Sequence, residues 1–157
     1  MPVDRSQNSH AYENLVEHLF LADLLRHMWY DRGEVVEVAK AQVDSWGYDL
    51  VLTAQGKTRH VQLKTSVPAS VNELLVNREG GCIVAALPKG RAQRVFYRIW
   101  EARTDISHLP KAKKTVYRRG SEVRQERVGH RKVPASLFSE PKDIASLCEI
   151  LFPIRSG

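Results

Sequence analysis

Two short runs of alternating apolar and polar residues, Asp49 to Thr53 and Arg59 to Thr65, flank the dipeptide Gln55-Gly56. No other feature constrains the fold of this chain as strongly. A period of two is the signature of a half-buried strand, and a short Gly-containing link between two such runs predicts an antiparallel hairpin. Centring the turn on Gln55-Gly56 places Asp49 opposite Gln62, and directly opposed residues share a face of the ladder. Lys64, two residues beyond Gln62, joins that face. Leu50, Leu52, Val61 and Leu63 fall on the other face and are expected in the core. The arrangement depends on register, because a slip of one residue would reverse every side chain.

The remaining elements follow from periodicity. Ser9 to Tyr30 has helical spacing, with Tyr12, Leu15, Val16, Leu19, Phe20, Leu24 and Met28 recurring every three or four residues. Asn8 or Ser9 can cap its start, and Gly33 follows its end. His10, Glu13 and Glu17 form a polar column that is overrun by apolar residues past His18. Glu17 is therefore expected where the helix passes from half-exposed to nearly all-round buried. Val35 to Val38 reads as a first strand, and Asp44 to Tyr48 as a turn around Gly47. A short helix is expected over Val71 to Arg78, because Ser70 and Glu73 have capping-box spacing. Cys82 to Leu87 reads as a strand buried on both faces, and Arg94 to Trp100 as another strand. A short strand is expected at Thr115 to Arg118. A closing helix over Pro141 to Phe152 presents Ile144, Leu147, Cys148 and Leu151, and Pro153 stops it. This order implies one α/β domain spanning residues 1–157, a mixed sheet with helices on both faces.

Charge is unevenly placed. The formal net charge is +6, yet nine of the 24 Lys and Arg residues lie between Lys111 and Lys132 with only two Glu, while the remainder carries fifteen basic against sixteen acidic residues. Lys111, Lys113, Lys114, Arg118, Arg119, Arg124, Arg127, Arg131 and Lys132 thus form either a solvated basic loop or an arm that contacts phosphates. Cys82 and Cys148 sit in apolar contexts and are expected as core thiols, which suits a reducing compartment. The N-terminus is polar, without the apolar stretch of a signal peptide, and no apolar run approaches the roughly 20 residues of a membrane span. A cytoplasmic protein that does not engage membrane is expected.

Asp49, Gln62 and Lys64 together suit phosphodiester hydrolysis. A carboxylate and an amide oxygen can bind a hard divalent cation. A lysine beside that cation can orient a water or stabilise charge on the phosphate in the transition state. Glu17 would add a second carboxylate. Trp29, Trp46 and Trp100 are expected as core or interface anchors, with base stacking the lesser alternative for Trp46, in the turn before Asp49. His10 and His60 are expected to be structural or solvent-facing, and Asp23 to pair locally with Arg26 or His27.

The run AspSerTrpGlyTyrAspLeuValLeu, a short turn, and HisValGlnLeuLysThrSer resemble the PD-(D/E)XK nuclease superfamily, in the variant with Gln at the usual acidic position. The likeness covers roughly residues 10 to 100. It implies a restriction-endonuclease-like fold, a mixed central β-sheet flanked by α-helices. It also implies a Mg²⁺- or Mn²⁺-dependent endonuclease-type phosphodiesterase, with DNA favoured over RNA and a role in bacterial defence or DNA processing. By position, Asp49 is the implied metal-binding Asp, Gln62 the second ligand and Lys64 the catalytic Lys. The helical acid is left open between Glu17, the preferred one, and Glu13; Asp44 is a further alternative. Many members pair to cut two strands, so a homodimer is admitted. Tyr48 stands where the family pattern has Pro, and the neutral Gln62 implies weaker Mg²⁺ binding. Two other classes fit the same residues: a nucleic-acid-binding module without catalysis, and a regulatory domain that docks an acidic partner protein.

Overall fold

The computed structural model describes residues 3–43, 45–90, 94–102 and 105–154. Helix α1 (Ser9–Arg26) runs into a π-helical turn (His27–Asp31) and is followed by strands β1 (Glu37–Lys40), β2 (Leu50–Ala54) and β3 (Lys57–Lys64). Strand β4 (Ala69–Asn72) and a 3₁₀ turn (Glu73–Asn77) lead to β5 (Cys82–Lys89) and β6 (Arg94–Glu101). Strands β7 (Lys111–Arg118) and β8 (Ser121–Val133) and a short 3₁₀ turn precede the last helix, α2 (Ile144–Leu151). The chain is thus mixed α/β, with a five-stranded sheet in the order β1-β2-β3-β5-β6 and a three-stranded sheet in the order β4-β8-β7. In the larger sheet only β3 and β5 pair in parallel.

The hairpin has the expected register: Leu50 pairs with Val61, Val51 with His60 and Ala54 with Lys57. Gln55 and Gly56 both have positive φ, 53° and 73°, the backbone that fits a two-residue turn to the twist of its strands. Leu50, Leu52 and Val61 are fully buried in a core formed with Val16, Phe20 and Leu24 of α1 and Leu147, Cys148 and Leu151 of α2, and Leu63 packs against it. The other face of the sheet, carrying Ile83 and Ala85, forms a second core with Val71, Leu75 and Val133, so both α-helices cover one face and the expectation of helices on both faces is corrected. β5 contributes to both cores, as its apolar run predicts.

Two arginines tie the α2 C-terminus to the sheet. Arg59 donates from Nε to Leu151 O (2.8 Å) and from Nη2 to Ile150 O (2.6 Å), and pairs with Glu101 at 3.1 Å. Arg32 reaches Cys148 O at 3.3 Å. Cys148 O also accepts from the capping Phe152 N–H at 2.8 Å, whereas Ile150 O and Leu151 O lie in the last turn, where carbonyls lack intrahelical donors; cations at this end complement the helix dipole. At the other end the Asp143 carboxylate accepts from Ser146 N–H at 2.8 Å.

Several sequence expectations are corrected. The short helix expected over Val71 to Arg78 is confined to a 3₁₀ helix, Glu73–Asn77: Ala69–Asn72 before it is a strand paired with β8, and Asn72, not Ser70, caps it. The first strand lies two residues later than expected. α1 buries a single stripe and is not covered all round, since Leu15 stays 51% exposed and Leu25 40%. Asp23 does pair with Arg26, at 2.7 Å, and also accepts from the Tyr97 hydroxyl at 2.7 Å; His27 pairs instead with Asp31. Both cysteines are buried free thiols, and burial pushes each up to about 12. Among the described residues, no helix is long and apolar enough to cross a membrane.

Candidate active site

Beyond Leu50, strand β2 stops while β3 continues along β5, so the hairpin opens. Asp49 sits at that opening. Its N–H donates to Val61 O (2.8 Å), the residue already paired with Leu50, so the regular ladder ends there and the expected Asp49–Gln62 pair is not part of it. Its carboxylate Oδ2 accepts from Leu63 N–H at 2.7 Å, a donor that β2 no longer reaches. Gln62 and Lys64 pair with Ile83 and Ala85 of β5, so their backbone is held by an interior strand.

A cavity of about 550 Å³ lies at this opening, and its walls include Asp49, Gln62, Lys64, Glu13, Glu17 and Arg127. The fold therefore brings the three hairpin residues together with both helical acids. Gln62 is 7% exposed and is the one buried polar or charged residue among those described. Its Oε1 is buried without a hydrogen-bond partner. An unsatisfied buried acceptor of this kind costs about 1–3 kcal/mol, and here it lines a polar cavity.

The two helical acids differ in setting. The Glu17 side chain is 14% exposed and pairs with Lys40 Nζ of β1 at 2.6 Å. Glu13 is 60% exposed and lies 3.7 Å from His10. Glu17 is thus the more buried of the two. Asp44 lies outside the described residues. Among the described residues no three His, Cys, Asp or Glu side chains gather as a metal set; the oxygen donors that the cavity wall offers a cation include the carboxylates of Glu13, Glu17 and Asp49 and the orphaned Gln62 amide.

The basic segment is a β-hairpin, β7–β8, turning at Arg119 and Gly120. Lys111, Lys113, Arg124 and Lys132 line a second hollow of about 380 Å³, which shares Pro68, Ala69 and Ser70 with the first. Lys114, Arg118 and Arg119 are exposed towards the hairpin end. Arg131 is placed differently. It pairs with Glu73 at 2.6 Å and donates to Ser107 O and Leu109 O, fastening β8 to neighbouring loops. Trp46 is 47% exposed with the Arg78 guanidinium 4.2 Å over its ring, and Tyr48 meets His60 edge-on at 4.7 Å. His60 Nδ1 lies 2.7 Å from Glu79 O, a structural contact as expected.

Sequence reasoning missed two participants. Lys40, the partner of Glu17, carries no local signal, because the pairing depends on how α1 crosses β1. Arg127 was legible only as one basic residue among nine; its place in the cavity wall comes from the path of β8. Comparison with protein-family models, with curated proteins and with solved structures found no significant match.

Proposed function

We propose that the protein is a metal-dependent nuclease with a restriction-endonuclease-like fold, related to the Gln-containing variant of the PD-(D/E)XK superfamily. The observation that carries this reading is the convergence of Asp49, Gln62, Lys64 and Glu17 on one cavity, with the Gln62 oxygen buried and unpaired. The order of elements supports it: a helix bearing the acid, an antiparallel hairpin bearing Asp and Gln-x-Lys, and a parallel neighbour to the second hairpin strand.

Asp49, Gln62 and Glu17 would hold Mg²⁺ or Mn²⁺. When bound, such an ion supplies Lewis-acid polarisation of the phosphate and a lowered pKa for a coordinated water. Asp49 is positioned for this by its hydrogen bond from Leu63 N–H, which fixes one carboxylate oxygen. Lys64, on a strand anchored by β5, orients the attacking water or donates to a non-bridging phosphate oxygen as charge builds on it. The basic hairpin beside the cavity tracks the phosphate backbone, which gives salt-sensitive affinity with little sequence preference. DNA is the favoured substrate, and two buried thiols suit a reducing, cytoplasmic setting.

Lys64→Ala should abolish cleavage of a DNA panel in Mg²⁺ or Mn²⁺ while leaving oligonucleotide affinity nearly unchanged. Wild-type cleavage by that variant would refute the assignment.

A second reading, a binding module without catalysis, is favoured by the neutral Gln62 and by the Lys40 ion pair that already engages Glu17. Calorimetric titration with Mn²⁺ separates the two. Absent metal binding together with absent cleavage of DNA or RNA would select the module.

A further inference from the structure

Strand β8 does not pair evenly with β7. Lys111 stands opposite Arg131, yet Lys113 stands opposite Glu126, so β8 carries three surplus residues where β7 advances by two. Gly129, inside this bulge, has φ +70°, a conformation that side-chain-bearing residues adopt at a cost. Bulges bend a strand and redirect its side chains, and they are frequent beside active sites. Arg127 lies at the mouth of this one. Every other residue from Ser121 to Gly129 is exposed, whereas Arg127 is half-buried and lines the cavity that holds Asp49, Gln62 and Lys64. It makes no hydrogen bond or ion pair with the described residues. Three other arginines are committed elsewhere: Arg131 to Glu73, Arg59 to Glu101 and Arg124 to Thr115.

We infer that Arg127 is a catalytic residue that binds the scissile phosphate, distinct in role from the rest of the basic hairpin. The inference rests on the nuclease reading for its reaction but not for its anion-binding component. A phosphodiester entering this cavity meets the carboxylates of Glu13, Glu17 and Asp49, which repel it. Lys64 alone offsets little of that charge, and Lys40 is tied to Glu17. A guanidinium presents paired N–H donors to two phosphate oxygens at once and stays charged at every working pH. In hydrolysis the water oxygen bonds to phosphorus, the bond to the leaving oxygen breaks, and the water's proton ends, in net terms, on the released hydroxyl. Arg127 moves no proton in this. It stabilises the extra negative charge on the non-bridging oxygens, and the bulge sets it in the wall before substrate arrives.

The test has two arms on the full chain. In the first, 5′-phosphorylated thymidine dinucleotide is titrated into the protein in EDTA at low salt. Arg127→Ala should weaken binding by about tenfold, the equivalent of one charge-assisted contact pair, while Lys89→Ala, at an exposed lysine outside the cavity walls, leaves it unchanged. Binding by Arg127→Ala equal to wild type, or no wild-type binding at millimolar dinucleotide, overturns the inference. In the second, single-turnover cleavage at saturating oligonucleotide should fall about 10²–10³-fold in Arg127→Ala and recover only partly in Arg127→Lys, with thermal melting of both variants unchanged. An unchanged cleavage rate also overturns it. Should the wild type cleave no nucleic acid, the nuclease reading fails, and the dinucleotide arm still decides whether Arg127 binds phosphate.

Discussion

Gln62 is a more discriminating residue than its charged neighbours. A glutamine kept for structure would satisfy its amide, because a lone buried acceptor costs about 1–3 kcal/mol. Its oxygen is instead unpaired in a cavity wall. Gln62→Met keeps the length and shape while removing the acceptor. The expected outcome is a melting temperature equal to or above wild type, with Mn²⁺ binding and cleavage lost; a marked fall in melting temperature would show that Gln62 serves the fold. At this scale the sequence was most informative where chemistry and period coincide. Asp49, Gln62 and Lys64 were legible as one face because strand alternation is local. The choice between Glu13 and Glu17 was not legible, since both lie on the same side of α1 and only the packing of β1, with Lys40, buries one of them.

Among the elements, legibility followed the presence of an apolar stripe. α1, β2, β3, β5, β6 and α2 each bury one, and each was visible within a few residues. β8 has no such stripe until Val133: Ser121 to Glu126 is exposed throughout, so its alternation has no hydrophobic record. Missing β8 also explains why the short helix was expected to start at Val71, whose residue pairs into that strand opposite Arg131, when it starts at Glu73. Helix α2 makes a testable unit. The hydrogen bond from Ser146 backbone N–H, aided by the Ser146 side chain, holds Asp143 below its ordinary value of 3.8. Its folded-state value is thus lower than its unfolded one. The cap's contribution is complete above the ordinary carboxylate value and disappears as pH falls through the folded value. Asp143→Ala should therefore destabilise the protein by about 1 kcal/mol at neutral pH, read from chemical denaturation, and the gap to wild type should close in strong acid. A gap that persists there would mean the loss is one of packing.

For the molecule as a whole, the larger sheet carries the cavity-lining Asp49, Gln62 and Lys64 at its open hairpin end, and the smaller sheet sets a basic surface beside it. That second sheet was not foreseen, because β4 and β8 are far apart in the chain and their pairing is a tertiary event. The basic excess was legible as composition, and the fold converts it into a surface adjoining the cavity. Division of labour follows. Arg118→Glu with Arg119→Glu should weaken binding of a long oligonucleotide and flatten the dependence of log affinity on log salt, by roughly one unit of slope for each phosphate no longer neutralised, with the saturated single-turnover rate unchanged. A fall in that rate at unchanged affinity would place the hairpin end in the chemistry instead.

The central claim is that Asp49, Gln62 and Glu17 share a divalent cation beside Lys64. Anomalous scattering from crystals soaked in Mn²⁺ tests it most directly. The account predicts a single strong peak in the cavity, touching the Asp49 carboxylate and the Gln62 Oε1. A cavity without a peak at saturating Mn²⁺, or an ion bound only elsewhere on the surface, would contradict it.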